Sequence, residues 1–346
     1  MHYKLAFVGF GNVGRALARL LLRKRALLMA EHDLTFSITG IATGSHGFAV
    51  NPAGLEAQQV LTRLEAGQSI SDMSTRACAG APDVIRESQA DVMFENSPVN
   101  HATGQPAIEH VRLALEAGMH AITANKGTVV HGYRDLTALA ASKGRKFLFE
   151  STVLGGAPLF SVFRECMPAA ELISFRGVLN STTNIILTRM ERGETFEEAV
   201  RYCQLIGVAE TDPSADVDGW DAAIKVAALV SVLMKVPITP QQVQREGIRG
   251  ITAAMLAGAR AEGRRYKLVC SAERDGAGVK ARVAPELVDG RDPLHGMDDS
   301  TTGVAFRTDV LGDYSIMESE REGMVAGPEP TAYGLFADFV NAVTRS

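Results

Sequence analysis

Near its start the chain runs from a short apolar stretch, Lys4 to Val8, into Gly9-Phe10-Gly11-Asn12-Val13-Gly14 and then into the apolar-periodic "RALARLLLRKRALLMAE". Strand, G-x-G-x-x-G and helix in that order form the fingerprint of a dinucleotide-binding unit. Gly9 makes the turn, Gly11 lets the backbone approach a pyrophosphate, and Gly14 packs helix on strand. Asn12 and Val13 complete the expected cofactor turn. The hexapeptide alone is weak, because glycine-rich turns are common; its place after the first strand gives it force.

The alternation continues. "TFSITGIAT" reads as a second strand and "DVMFENS" as a later one, with Ser97 at its end as a further candidate cofactor contact. "GQPAIEHVRLALEAGM" is helical, "HAITANK" is a strand ending in Lys126, "YRDLTALAASKG" is helical and "KFLFESTV" is a strand. Strands alternating with helices imply an α/β fold with a Rossmann-type, doubly wound parallel sheet, here over residues 1–150. Between Phe48 and Pro82 the periodicity is poor, and an irregular insertion with helical pieces is expected. After about Gly155 the pattern changes to helix, strand, two helices, an acidic stretch with a long helix, and two strands. That is α+β patterning, assigned to a second, substrate-binding domain over 151–311. The remainder, 312–346, carries the amphipathic "PTAYGLFADFVNAV" and is expected to pack back on the first domain.

Composition narrows the class. With 46% hydrophobic and 22% charged residues the chain is ordinary for a globular protein, and a net charge of -5 gives no reason to expect nucleic acid. The four cysteines lie far apart with no Cys-x-x-Cys pair, which suits a reducing cytoplasm and argues against a disulfide framework or zinc. "VAALVSVLM" falls short of the ~20 residues that span a bilayer. A cytoplasmic protein with no membrane partner is expected.

The stretch "AETDPSADVDGWDAAIKV" crowds five carboxylates (Glu210, Asp212, Asp216, Asp218, Asp221) at the entrance of an apolar helix with a single lysine, Lys225. A solvated helix N-terminus is the commonest explanation. A calcium loop fails, because the lysine falls where the bidentate glutamate belongs. A site for a small zwitterion, carboxylates for its ammonium and lysine for its carboxylate, is the third reading.

Further motifs bear on the choice. "TANKG" places Lys126 at the carboxyl end of a strand, where ligands sit in doubly wound sheets. "GVLNSTTNIIL" puts Asn180 and Thr182 at a helix start with anion-friendly N–H groups. With "FESTVLGGAPLF", the acidic stretch, "DPLHGM" and "TDVLGDY", in this order, the chain resembles homoserine dehydrogenase in its short form, which lacks a C-terminal regulatory domain. The resemblance implies NAD(P)-linked interconversion of L-aspartate 4-semialdehyde and L-homoserine, and a homodimer formed through the second domain. By motif, Lys126 and Lys225 are implied as catalytic lysines, with Asp221 at the reacting hydroxyl and Glu210 on the substrate ammonium. Asp216, Asn180, Thr182 and Gly207 are the other implied substrate contacts. A monovalent cation, sodium or potassium, is implied at Glu150, Val153, Gly155 and Ala157.

The chemistry agrees. Reducing an aldehyde needs a hydride from a nicotinamide and a proton donor for the developing alkoxide, and a partly dry lysine can serve. Asp221 and Lys225, at i and i+4, share one helix face; as a mere surface pair they would contribute ~0.3–0.5 kcal/mol. Asp212 and Asp218 read as capping or solvated acids.

Two departures stand out. Ser181 replaces the usual glycine before the threonines, and "ESEREGMVAGPEP" replaces the glycine-rich turn near the C-terminus, leaving Gly327 as the candidate cofactor contact there. No acid follows the second strand, where NAD-binding folds usually hold the ribose hydroxyls. With Thr43, Ser45 and His46 available to a 2'-phosphate, NADP is expected over NAD. Two competitors fit less well. Aspartate-semialdehyde dehydrogenase needs an activated cysteine, and a non-catalytic dinucleotide sensor would not need both lysines and Glu210.

Overall fold

A computed structural model describes residues 1–319 and 327–344 of the chain, which divide into two compact units, 1–156 with 328–346 and 157–327. In the first unit, β1 (His2–Val8) leads into α1 (Asn12–His32), followed by β2 (Thr35–Ala42), β3 (Phe48–Leu55), α2 (Ala57–Glu65) and α3 (Ala81–Glu87). Then come β4 (Val92–Glu95), α4 (Ala107–Glu116), β5 (His120–Thr123), α5 (Lys126–Ser142) and β6 (Phe147–Leu148). The sheet order is β3-β2-β1-β4-β5-β6. Strand order reverses at β1, so the crevice beyond the carboxyl ends of β1 and β4 is the ligand position for such a sheet.

Five strands run parallel and β3 runs antiparallel to β2. The region expected to be an irregular insertion therefore contains an edge strand and a helix. Its strand was hidden because "FAVNPAGL" carries Pro52 and Gly54, residues a sheet tolerates chiefly at an edge. Lys126 does not lie on a strand. The strand ends at Thr123, and Asn125 caps the following helix, so that Lys126 is the first residue of α5.

The second unit holds β7 (Leu172–Val178), α6 (Ser181–Glu191), α7 (Phe196–Leu205), the single turn α8 (Ser214–Val217) and α9 (Trp220–Leu229). After them come β8 (Gln244–Arg245), α10 (Ala253–Ala261), β9 (Arg265–Asp275), β10 (Gly278–Val288), β11 (Thr302–Thr308) and β12 (Gly312–Glu318). Their sheet, β12-β11-β7-β9-β10-β8, is antiparallel except where β8 joins β10. Residues Gly312–Glu318 were expected to return to the first domain; instead they pair with β11, because the chain turns back at once.

Of the described residues in 312–346, those of α11 (Glu329–Thr344) belong to the first unit. Its Leu335 and Phe339 are buried with Leu17 and Leu21 of α1 and Phe7 and Phe94 of the sheet. Phe94 and Phe339 meet edge to face at 6.1 Å between centroids. This core holds α1 against β1 and so fixes the glycine turn between them. The second unit has its own smaller cluster of Val178, Val269, Val288, Leu294 and Met297. Among the described residues no helix is long and apolar enough to cross a membrane.

Candidate active site

The turn after β1 follows its glycines. Gly9 has φ +86, and a Cβ there would stand 2.4 Å from the Asn96 backbone. Only glycine fits. A Cβ on Gly14 would meet the Gly9 carbonyl at 2.8 Å, so Gly14 lets the first turn of α1 close on the loop. Around Gly11, at the mouth of α1, no heavy atom of the described residues other than its chain neighbours lies within 4 Å of a Cβ position. That open space, at the N-terminus of a long helix, fits a pyrophosphate. Asn12 is exposed and accepts from Arg15 at 3.2 Å, while Val13 packs on the core. Arg15, half-buried beside this turn, is a cation that the sequence motif did not single out. Among the described residues the buried Asn96 side-chain amide has no hydrogen-bond partner, which leaves both its polar atoms available to a bound group.

After β2, the Thr43 hydroxyl donates to the Gly47 carbonyl at 2.9 Å and accepts from the His46 N–H at 2.7 Å. Ser45 and His46 bond to each other at 2.9 Å. The hydroxyl of Thr43 is thus spent inside the turn. At the end of β4, Ser97 donates its N–H to the Glu95 carboxylate at 3.2 Å, and its hydroxyl bonds the same oxygen. Half-buried Lys126 sits next to Asn125, whose side chain caps the Gly127 N–H at 3.0 Å.

In the second unit Asn180 organises the acidic stretch. Its Oδ1 caps α6 at the Thr183 N–H (2.8 Å), and its Nδ2 donates to Asp216 Oδ1 (2.7 Å) and Asp221 Oδ2 (2.9 Å). Lys225 Nζ donates to the Leu179 carbonyl at 2.6 Å and pairs with Asp221 at 2.9 Å. Asn180, Asp216, Asp221 and Lys225 are therefore one connected group. The Lys225 and Asp221 side chains are only 13% and 14% exposed, which removes the solvated-surface reading of this pair.

Other expected residues stand apart from that network. Thr182 is buried, with its hydroxyl 3.5 Å from the Val208 carbonyl. Gly207, with φ +75, turns the chain after α7. Glu210 is exposed, and its backbone carbonyl accepts from Gln204 at 3.3 Å. Asp212 bonds the Ser214 N–H and hydroxyl, which hold its carboxyl below the usual range. Asp218 pairs with Arg249. Both acids have structural duties.

Glu150 is buried, and its N–H donates to Asp338 at 2.8 Å. Val153 is buried too, and Gly155 lies against Pro330 of α11. Ala157 opens the second unit. Gly327 is exposed; most of the altered loop before it, residues 320–326, lies outside the described residues.

A doubly wound sheet with this glycine turn, and a second unit carrying a half-dry lysine among carboxylates, define a nicotinamide-dependent oxidoreductase acting on a CH–OH group. Residues 9–150 match the family model described as the NAD binding domain of homoserine dehydrogenase, and residues 158–340 the model described as homoserine dehydrogenase. The chain belongs to the homoserine dehydrogenase family. It is 34% identical to an NAD(+)-dependent homoserine dehydrogenase of Pseudomonas canavaninivorans over 98% of this chain and 96% of that one. A crystal structure from Archaeoglobus fulgidus, assigned to the same family, superposes with TM-score 0.85 at 30% identity, covering 98% of both chains. A hyperthermophilic archaeal homoserine dehydrogenase mutant in complex with NADPH gives TM-score 0.82 at 26% identity, over 100% and 99% of the chains.

Proposed function

We propose that this homoserine dehydrogenase works through Lys225 and Asp221 at the reacting oxygen of the substrate, with Lys126 as the second catalytic lysine. The observation that carries the reading is the Asn180–Asp216–Asp221–Lys225 network, which fixes an ammonium and two carboxylates in one weakly hydrated place. Bound nicotinamide supplies the hydride acceptor for homoserine oxidation and the donor for the reverse step. The chain's own residues manage the proton. In aldehyde reduction a lysine ammonium stabilises the developing alkoxide and gives it a proton, becoming a neutral amine. In homoserine oxidation the neutral amine takes the hydroxyl proton as the hydride leaves, while the carboxylates hold the lysine in place. Asp216 and exposed Glu210 are assigned to the substrate ammonium, Asn180, Thr182 and Gly207 to shaping the loop around it.

On the cofactor we infer NAD in preference to NADP, reversing the expectation from sequence. The hydroxyl of Thr43 is already engaged, and Ala42 to Phe48 contains no lysine or arginine to meet a 2'-phosphate. The Pseudomonas relative's name agrees. Steady-state oxidation of L-homoserine with each cofactor is the test. A higher kcat/KM with NAD supports the inference, a higher value with NADP overturns it, and no turnover with either rejects the assignment of these residues.

A homodimer through the second unit's sheet and a monovalent cation at Glu150, Val153, Gly155 and Ala157 complete the proposal. Sedimentation tests the first. Replacing sodium and potassium with tetramethylammonium tests the second, because only small cations fit carbonyl oxygens.

A further inference from the structure

The buried polar groups of the first unit converge on Glu95, the last residue of β4. Its side chain is 0% exposed. One carboxylate oxygen accepts from the Ser97 N–H and hydroxyl and lies 3.3 Å from Nδ1 of His110, itself buried on α4. The other lies 3.4 Å from the Thr123 hydroxyl, which donates to the Glu95 carbonyl at 2.9 Å. A carboxylate taken out of water is costly unless donors surround it. Here the donors come from three elements.

What those donors do next gives the residue its meaning. The Thr123 hydroxyl accepts from the Asn125 N–H at 2.9 Å. The Asn125 side chain reaches back to the Ser97 carbonyl at 3.0 Å and forward to cap the Gly127 N–H at 3.0 Å. The turn after β4 and the start of α5, where Lys126 stands, are thus tied to one another and to Glu95. The same β4 turn lies against Gly9, whose neighbouring atoms are the Asn96 carbonyl group and the Ser97 nitrogen. Glue for a sheet end would not need a charge, since an amide or an apolar residue packs there at lower cost. A carboxylate that collects two turns makes their relative position rigid.

We propose that Glu95, closed on its third side by His110 and acting through Thr123 and Asn125, is a positioning residue that sets the location of Lys126 for the reaction. The inference rests on the reading that Lys126 is catalytic. A displacement of about 1 Å at a reacting group can cost on the order of a hundredfold in rate, so a loosened link costs activity without unfolding the sheet.

The test is a double-mutant cycle on the full-length enzyme. Thr123→Val removes the linking hydroxyl with little change of shape, and Glu95→Gln removes the charge. Each is expected to lower kcat roughly tenfold or more when Lys126 is present, and less than about twofold in a Lys126→Ala background. Thr123→Ser, which restores the hydroxyl, is expected to restore kcat. Equal losses in both backgrounds, or no loss in either, overturn the inference, because a general structural defect does not depend on Lys126. If Lys126→Ala alone keeps wild-type kcat, the catalytic reading of Lys126 fails and the inference with it. Thr123→Val covers the case in which Glu95→Gln fails to fold.

Discussion

Lys225 Nζ lies 2.9 Å from Asp221 Oδ2, one helical turn earlier on α9, and 2.6 Å from the carbonyl of Leu179, the residue after β7. The lysine is thereby tied both to its own helix and to the loop that leads into α6. Among the described residues two of its three N–H bonds are committed, which leaves one for a substrate oxygen. Lys225→Ala is expected to lower kcat by ~100-fold or more, the usual scale for a positioned acid or base. Glu210→Ala should chiefly raise the KM for homoserine, because an ammonium contact acts in ground and transition states alike. Steady-state kinetics separates the two, and a Lys225→Ala enzyme with near-normal kcat refutes the assignment.

Asn180 allows the helix cap to be separated from the acidic network. Asn180→Asp keeps an acceptor for the Thr183 N–H but replaces the donor that lies 2.7 and 2.9 Å from two carboxylates with a third carboxylate. Asn180→Ala forfeits the cap, ~1 kcal/mol, and adds no charge. At pH 8 the aspartate variant is therefore expected to melt below the alanine variant. The gap should narrow toward pH 5, where a protonated carboxyl can donate. Melting curves decide it; an aspartate variant as stable as wild type at pH 8 contradicts the clash.

Much of this was legible in the chain and some was not, for identifiable reasons. The glycine turn and the Asp221–Lys225 spacing are local, so sequence alone placed them. "TANKG" looks like the end of a strand because nothing local marks Asn125 as a helix cap, a role fixed by its bond to Gly127. Thr43 looked available to a phosphate because nothing local shows that its hydroxyl closes a turn onto Gly47. Glu95, His110 and Thr123 meet only when three elements pack, and a glutamate in "DVMFENS" carries no sign of that.

His120 makes stability depend on mild acid. Burial, reinforced by the charges of Arg145 and Lys146, pushes its imidazole down from the ordinary 6.5 to about 4. Geometry agrees, since Nδ1 accepts the Lys146 N–H at 3.1 Å and must be unprotonated to do so. The unfolded chain takes up a proton near pH 6.5 and the folded one resists it. Stability is therefore whole above 6.5 and is lost as the pH falls toward 4, by up to about 2 kcal/mol after allowing for residual solvent access. Urea unfolding at pH 4.5 and 7 should show this loss in wild type and less of it in His120→Gln. Equal losses would remove His120 as the cause.

Lys267 carries the opposite end of the pH scale. It is 1% exposed on β9, donates to Asn184 Oδ1 at 3.1 Å and bonds the Met297 carbonyl. Burial, helped by the charge of Arg265, pushes its ammonium down from 10.5 to about 8. Below pH 8 both folded and unfolded chains hold the proton, and the folded state bears the whole cost of burying the charge. Between 8 and 10.5 the folded chain releases a proton that the unfolded chain keeps. Stability from this group must then rise with pH, by on the order of 3 kcal/mol across the window. Lys267→Met removes that titration but leaves Asn184 Oδ1 short of a donor, at roughly 1–3 kcal/mol, while the Met297 carbonyl keeps its bond from Asn184 Nδ2 at 3.0 Å. Its stability at pH 7 is a balance of these effects, so the slope is the quantity to compare. Other titrating groups are common to both proteins and cancel in the difference. Wild type is expected to gain stability relative to Lys267→Met between pH 8 and 10; parallel curves would show that Lys267 keeps its proton throughout.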